Sequence, residues 1–353
     1  MNNYEENGRT SPLVLVTGGT GFIAQHCILA LLQAGYRVRT TVRSLDRAAE
    51  VREHEVREHL RTGGARAPHE VSFVTADLER DDDWAAAVRG CRFVMHGASP
   101  TPSGPQVAER EWIEPAVEGN LRVLKAARDE GVQRVVLTSA FGAVGMGHRK
   151  DKPRPFDETV WSDLSGPVAP YQKSKTMSER AAWDFVRKSS SGPELVTVNP
   201  VAVLGPALGA DFSHSIRLIQ RMLQGQPCPK INSGFVDVRD VADLHVLAMT
   251  RPEAAGERFL AIAGRSMWFH EVAAVLRSGL GDAAHRVSVR TLPNWVVRLA
   301  ALRDRSLRGT VTMLGMNMDA TSAKAQRLLG WRPRSAEEAI LATARSLKAL
   351  GLV

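Results

Sequence analysis

Between Leu13 and Ala34 a short apolar block, Leu13-Val14-Leu15-Val16, runs through Thr17-Gly18-Gly19-Thr20-Gly21 into a helical pattern opening at Phe22-Ile23-Ala24. This order is strand, glycine-rich turn, helix. Gly19, Gly21 and Ala24 fit the spacing G-x-G-x-x-G/A, and Gly18, Gly21 and Ala24 also fit T-G-x-x-G-x-x-[GA]. Small residues at those points let the backbone approach a pyrophosphate held at the helix N-terminus. An ordinary tight turn is the plain alternative for any glycine cluster. Position decides against it, because the pattern follows an early strand, opens a helix and is followed by a second strand at 37–42, as a dinucleotide-binding fold requires. Thr17, Gly18, Thr20, Gly21, Phe22 and Ile23 are therefore the candidate cofactor contacts of this unit.

Beyond this unit, short apolar runs alternate with longer helical patterns, which argues for an α/β fold with a doubly wound parallel sheet covered on both faces. Strands are expected at 13–17, 37–42, 71–74, 93–96, 134–138 and 195–199. A charged helical stretch lies at 46–61, followed by the breakers Gly63-Gly64 and Ala67-Pro68. After Asn199 the pattern changes, with Pro200, Gly205, Pro206 and Gly209 breaking the chain. The expected division is a flexible tail at 1–11, a Rossmann domain at 12–199 to which 232–263 returns, and a smaller substrate lobe from 200–231 and 264–353.

The residue ending the second strand bears on the choice of dinucleotide, since a carboxylate there suits the ribose of NAD and an arginine the extra phosphate of NADP. Here it is Arg43, and no Asp or Glu lies between Gly35 and Leu45. NADP(H) is favoured over NAD(H), with Arg39 and Arg47 as auxiliary contacts. A solvated surface arginine is the plain alternative in a chain with 46 lysines and arginines.

Composition narrows the class by exclusion. The 353 residues, 44% hydrophobic, contain no apolar run near the roughly 20 residues of a membrane span. The polar start Met1 to Ser11 lacks the apolar core of a signal peptide, so a soluble cytoplasmic protein is expected, without a membrane partner. Cys27, Cys91 and Cys228 are far apart among apolar neighbours and show no metal-ligand spacing; they read as buried thiols, and no metal site is expected. The net charge of +8 is carried by dispersed arginines without an aromatic-basic cluster, which argues against a nucleic-acid partner and leaves attraction for an anionic cofactor.

Tyr171 and Lys175, in Ala169-Pro170-Tyr171-Gln172-Lys173-Ser174-Lys175, stand four residues apart and share one helix face. A phenol with a pKa of about 10 can be lowered by roughly 1 to 3 units beside a cation, toward a working acid or base at neutral pH. A core tyrosine and a solvated lysine are the plain alternatives.

Taken with the loop, this pair resembles the extended type of the short-chain dehydrogenase/reductase superfamily, which includes the NAD-dependent epimerases and dehydratases. The segments Tyr171 to Phe185, Val198 to Pro206, Phe235 to Asp243 and Leu329-Gly330-Trp331-Arg332-Pro333 look like its dihydroflavonol-4-reductase and aldehyde reductase branch. The resemblance spans roughly residues 12 to 350 and implies a reductase in which NADPH gives hydride to an aldehyde or ketone carbonyl. Tyr171 would protonate the oxygen, and Lys175 would hold the nicotinamide ribose and lower the Tyr171 pKa. It further assigns Asp77 and Leu78 to the adenine, with helix capping the alternative for Asp77. Gly97, Ala98 and Ser99 fall beneath the nicotinamide ribose, and Pro200 and Val201 on the carboxamide side.

The chain departs from that family where the fifth strand ends. A T-S-S run is usual there, its second serine bonding the substrate carbonyl, and this chain reads Thr138-Ser139-Ala140-Phe141-Gly142. Ser139 becomes the substitute candidate for the catalytic hydroxyl. The asparagine that reads flavonoid hydroxyls in dihydroflavonol reductases corresponds to Gly145, which speaks against a flavonoid. Phe141, Met146, Phe212, Met222, Trp268 and Trp295 are candidate apolar lining for an aromatic or medium-chain carbonyl compound, and core packing explains most of them equally. Two rivals stand beside the reductase: a nucleotide-sugar epimerase or dehydratase, disfavoured by Glu118-Gly119-Asn120-Leu121 where those relatives carry N-V-x-G-T, and a non-catalytic NADP-binding sensor or scaffold, raised by Ala140. Monomer and homodimer are both compatible with the sequence.

Overall fold

The computed structural model describes residues 11–49, 51–52, 71–100, 102, 107–148, 155–209, 213–303 and 308–353. The tail at 1–10, most of the charged stretch at 46–61, its glycine and proline breakers and Phe212 lie outside these residues.

Seven strands form one parallel sheet: β1 (Leu13–Thr17), β2 (Arg37–Val42), β3 (Val71–Thr75), β4 (Phe93–His96), β5 (Arg134–Thr138), β6 (Glu194–Pro200) and β7 (Arg258–Ala261). Across the sheet they run 7-6-5-4-1-2-3, so the chain order reverses between β1 and β4, where an open α/β sheet gathers its ligands. The helices are α1 (Phe22–Gln33), α2 (Trp84–Val88), α3 (Glu109–Asp129), α4 (Pro170–Lys188), α5 (His214–Leu223), α6 (Val238–Thr250), α7 (Phe269–Leu280), α8 (Asn294–Arg303), α9 (Arg308–Met313), α10 (Ala323–Leu329) and α11 (Ala336–Ala349).

Strand side chains alternate between faces, and the two cores divide accordingly. Val14 and Val16 pack with Phe22, Ile28 and Leu31 of α1 and with Val241, Leu244 and Ala248 of α6. Leu15, between them, packs on the other side with Trp84, Val123, Leu124 and Ala182 of α2, α3 and α4. Val135 and Leu137 of β5 follow Leu15, while Val136 goes to the α1 side. Each such side chain removed from water contributes about 1.5 to 3 kcal/mol, which makes a one-residue slip of any central strand untenable.

Of the segment 232–263, expected to return to the sheet, residues 258–261 pair with it as β7 beside β6. Phe235–Asp237 instead pairs with Ala202–Leu204, and Asn232–Ser233 with Met267–Trp268. The C-terminal part is tied back by Trp331, 2% exposed, whose indole N–H donates to the Asp240 carbonyl at 2.8 Å. Arg334 pairs with the Asp240 carboxylate. The three cysteines are free and buried.

Candidate active site

Gly18 leaves β1 with φ of +69°, a left-handed conformation that glycine adopts without penalty. Its N–H donates to Thr41 Oγ1 at 2.9 Å, and that of Gly19 to Thr41 O at 3.0 Å. A Cβ on Gly19 would stand 2.2 Å from Thr40 Oγ1, so nothing larger fits. Gly21 closes the turn on Gly18 O at 2.8 Å. From there α1 begins without an acidic residue in its first turn, so its unpaired N–H groups present a positive end suited to a pyrophosphate. The loop thus fits a dinucleotide. Phe22 turns its ring into the core, so only its backbone is left to face the loop.

The Thr17 side chain, expected at the cofactor, is turned into the protein. Wholly buried, it accepts from the Ala98 N–H at 3.0 Å and donates to His96 Nδ1 at 2.8 Å. His96 Nε2 bonds Asn120 Oδ1 at 3.0 Å, the pattern of a neutral imidazole. Burial, reinforced by the nearby Lys175 charge, draws its pKa down to about 4. A Cβ on Gly18 would meet Ala98 Cβ at 3.1 Å, so the phosphate loop and the segment 97–99 lie against each other.

Pro170 occupies the first turn of α4, where its missing N–H has no bond to lose. Tyr171 follows, 43% exposed, its ring edge-on to Trp112 at 6.2 Å. Burial of its surroundings raises the phenol above its ordinary value, and with so much of the residue open that push is limited. The lowering expected from Lys175 does not appear: burial acts on the Tyr171 phenol in the opposite direction. Lys175 itself is drawn down to about 8 by burial, with the charge of Glu179 opposing.

Ser139 is taken elsewhere. Its hydroxyl donates to Glu179 Oε2 at 2.5 Å, on the α4 side of the sheet that Val135 and Leu137 also face. Glu179, wholly buried, also accepts from Asn199 Nδ2 at 2.7 Å, Thr197 Oγ1 at 3.1 Å, Arg258 Nε at 2.7 Å and Trp183 Nε1 at 3.4 Å. Sequence reading gave this carboxylate no role, although it lies eight residues beyond Tyr171 on the same helix face. On the opposite side of the sheet Thr138 Oγ1 meets His245 Nε2 at 2.7 Å.

Arg43 lies exposed at the end of β2. Arg39, expected to assist it, is occupied: its Nη1 donates to the carbonyls of Ala87 at 2.9 Å and Arg89 at 2.8 Å at the end of α2. Asp77 Oδ1 accepts the Glu79 N–H at 3.0 Å, a local turn in keeping with the capping alternative. Leu78 is buried against Gly119. Pro200 ends β6, and Val201 N–H donates to Ala261 O at 3.2 Å. Among the candidate lining residues, Met222 is buried in the core and Trp295 is 64% exposed. Phe141 is buried edge-on to Phe156 at 5.8 Å, its ring 2.3 Å from where a Gly145 Cβ would stand. A cavity of about 580 Å³ lined by Trp161, Trp183, Arg258 and Lys324 includes neither Tyr171 nor Lys175, and shares Trp183 and Arg258 with the donors to Glu179.

A parallel sheet in this order, with a glycine-built anion cradle at the switch point, defines a dinucleotide-binding α/β enzyme fold. The chain belongs to the NAD dependent epimerase/dehydratase family, whose model matches residues 14–262. It is 37% identical over 257 residues to cinnamoyl-CoA reductase 1 of Arabidopsis thaliana, covering 71% of each chain. To a putative NADPH-dependent methylglyoxal reductase of Candida albicans it is 32% identical over 271 residues, 71% of this chain and 78% of that one. The solved yeast methylglyoxal/isovaleraldehyde reductase Gre2, complexed with NADPH, superposes with a TM-score of 0.78 at 27% identity, over 97% of this chain and 100% of that one.

Proposed function

We propose that this protein is an NADPH-dependent reductase that converts an aldehyde or ketone to an alcohol. One observation carries the reading: a glycine-built loop joins β1 to α1 where the strand order reverses, in a chain whose Tyr171 and Lys175 lie four residues apart on one face of α4. The reductases among its relatives, one solved with NADPH, support the same class. When bound, NADPH supplies the hydride that reaches the carbonyl carbon. The loop 18–23 binds its phosphates, Arg43 takes the 2′-phosphate, Asp77 and Leu78 flank the adenine, and 97–99 with Pro200 and Val201 border the nicotinamide end. Lys175 holds the ribose hydroxyls. Tyr171 Oη gives its proton to the carbonyl oxygen as charge develops there, and regains one from solvent through its open side.

Ala140 offers no hydroxyl and the Ser139 proton is committed to Glu179, so Tyr171 serves the substrate oxygen without a hydroxyl from the end of β5. The Phe141 ring fills the space at Gly145, which favours a compact aromatic or medium-chain carbonyl compound over a flavonoid. Residues 12–199 with 232–263 bind the cofactor, and 200–231 with 264–353 form most of the substrate lobe, in a cytoplasmic monomer or homodimer. Among the described residues no helix is long and apolar enough to cross a membrane. Ala140 also keeps a second reading alive, an NADP-binding module without turnover. NADPH absorbance followed with a panel of aldehydes and ketones separates them: turnover lost in Tyr171→Phe supports the reductase, and tight NADPH binding with no oxidation by the native protein overturns it.

A further inference from the structure

We propose that Glu179 is a positioning residue for the Tyr171–Lys175 pair, anchoring α4 to three strands and supplying the anion that partners Lys175 along the helix. The inference rests on the reading of Lys175 as a cofactor-binding cation. Tyr171, Lys175 and Glu179 stand at i, i+4 and i+8, one above another on one face. The Glu179 carboxylate accepts from Ser139 after β5, from Thr197 and Asn199 of β6 and from Arg258 of β7. Asn199 Nδ2 also reaches Ala140 O at 3.2 Å. One buried group therefore sets the depth of α4 and the backbone at the point where the expected hydroxyl is missing.

Its charge has a second use. A wholly buried carboxylate needs compensation, and Arg258, itself nine-tenths buried, provides it at 2.7 Å. Lys175, one turn toward the N-terminus of α4, then senses what remains. Among the described residues, Tyr171 stands one turn before Lys175 on the same helix face and stays uncharged below its raised pKa. Glu179 acts from its own helix, and His96 from β4 is held neutral. Ser139, Asn199 and Thr197 on the strands carry no charge. From α3, Glu109 is taken by Lys173 on a different side of α4. Among the described residues, the charge of Glu179 opposes the loss of the Lys175 proton to burial.

NADPH binding measured by fluorescence titration between pH 6.5 and 10 tests this without requiring turnover. In the native protein the dissociation constant should rise with a midpoint near pH 8, where burial leaves Lys175; a midpoint below 6.5 overturns the inference, because Glu179 would not then be keeping Lys175 charged. Removal of a charge one helical turn away, already compensated in part by Arg258, moves such a midpoint by about 0.5 to 1 pH unit, so Glu179→Gln should bind about two- to fivefold more weakly at pH 8 and almost normally at pH 6.5. Glu179→Asp, which restores the charge, should bring the midpoint most of the way back. Thr197→Val, which loosens the anchor alone, should lower Tm and leave the midpoint in place. A folded Glu179→Gln protein with the native midpoint refutes the inference. If Lys175→Met binds NADPH as tightly as the native protein, the reading of Lys175 fails instead.

Discussion

Replacing Lys175 by methionine should stabilise the free protein while it weakens cofactor binding. In the fold burial draws the ammonium from its ordinary 10.5 to about 8, and that gap corresponds to about 3 kcal/mol. The side chain is partly open, so solvent reduces the penalty to about 2 kcal/mol. Because the folded pKa lies below the unfolded one, the unfolded chain holds the proton more firmly. The penalty is thus complete below about pH 8, fades as pH rises, and is gone above 10.5. Methionine keeps the length and carries no charge, and Glu179 retains Arg258. Unfolding entropy of about 2.1 cal/mol/K per residue over 353 residues turns 2 kcal/mol into about 3 °C. Differential scanning fluorimetry of both proteins from pH 6.5 to 10.5 should show the variant melting about 3 °C higher at neutral pH and the two curves converging at the alkaline end. A variant that melts no higher at pH 7, or a difference that ignores pH, refutes the argument that burial of this ammonium is held at the expense of stability for the sake of the cofactor.

Arg43→Ala should weaken NADPH by about 10- to 100-fold through loss of a charge-assisted phosphate contact and leave NADH unchanged; isothermal titration with both cofactors decides, and an equal loss for each removes Arg43 from phosphate recognition. Gly19→Ala forces a methyl to within 2.2 Å of Thr40 Oγ1, and should cost about 1 to 3 kcal/mol by overpacking together with most NADPH affinity; a native melting curve would show that the loop has slack. His96 and His245 are buried with pKa values near 4, below the ordinary 6.5, so stability should be complete above 6.5 and fall as pH drops toward 4, by up to about 3 kcal/mol for each. Urea unfolding at pH 7, 6 and 5 measures it, and a flat profile contradicts the neutral assignment.

Six of the seven sheet strands could be read from apolar runs, because strands buried on both faces carry that signal locally. The phosphate loop could be read for a related reason: Gly18 and Gly19 are demanded by one turn and one neighbouring strand, and their spacing survives in the linear chain. The Tyr171–Lys175 pair was equally accessible, since helix periodicity alone puts the two on one face. Ser139 and Glu179 were different. Nothing local distinguishes a serine that serves a substrate from one that serves a carboxylate 40 residues away, and Glu179 reads as an ordinary helix acid until strands from three distant parts of the chain deliver its donors. Thr17 and Arg39 followed the same rule, each assigned to a ligand by position and each found bonded to protein. The amino-acid sequence by itself determined the strands, the cradle and the paired phenol and ammonium, because these depend on periodicities of two and about four residues. Only the tertiary structure decided which hydroxyls are free and which charges are compensated, because hydrogen bonds and burial depend on distances between residues that the sequence keeps far apart.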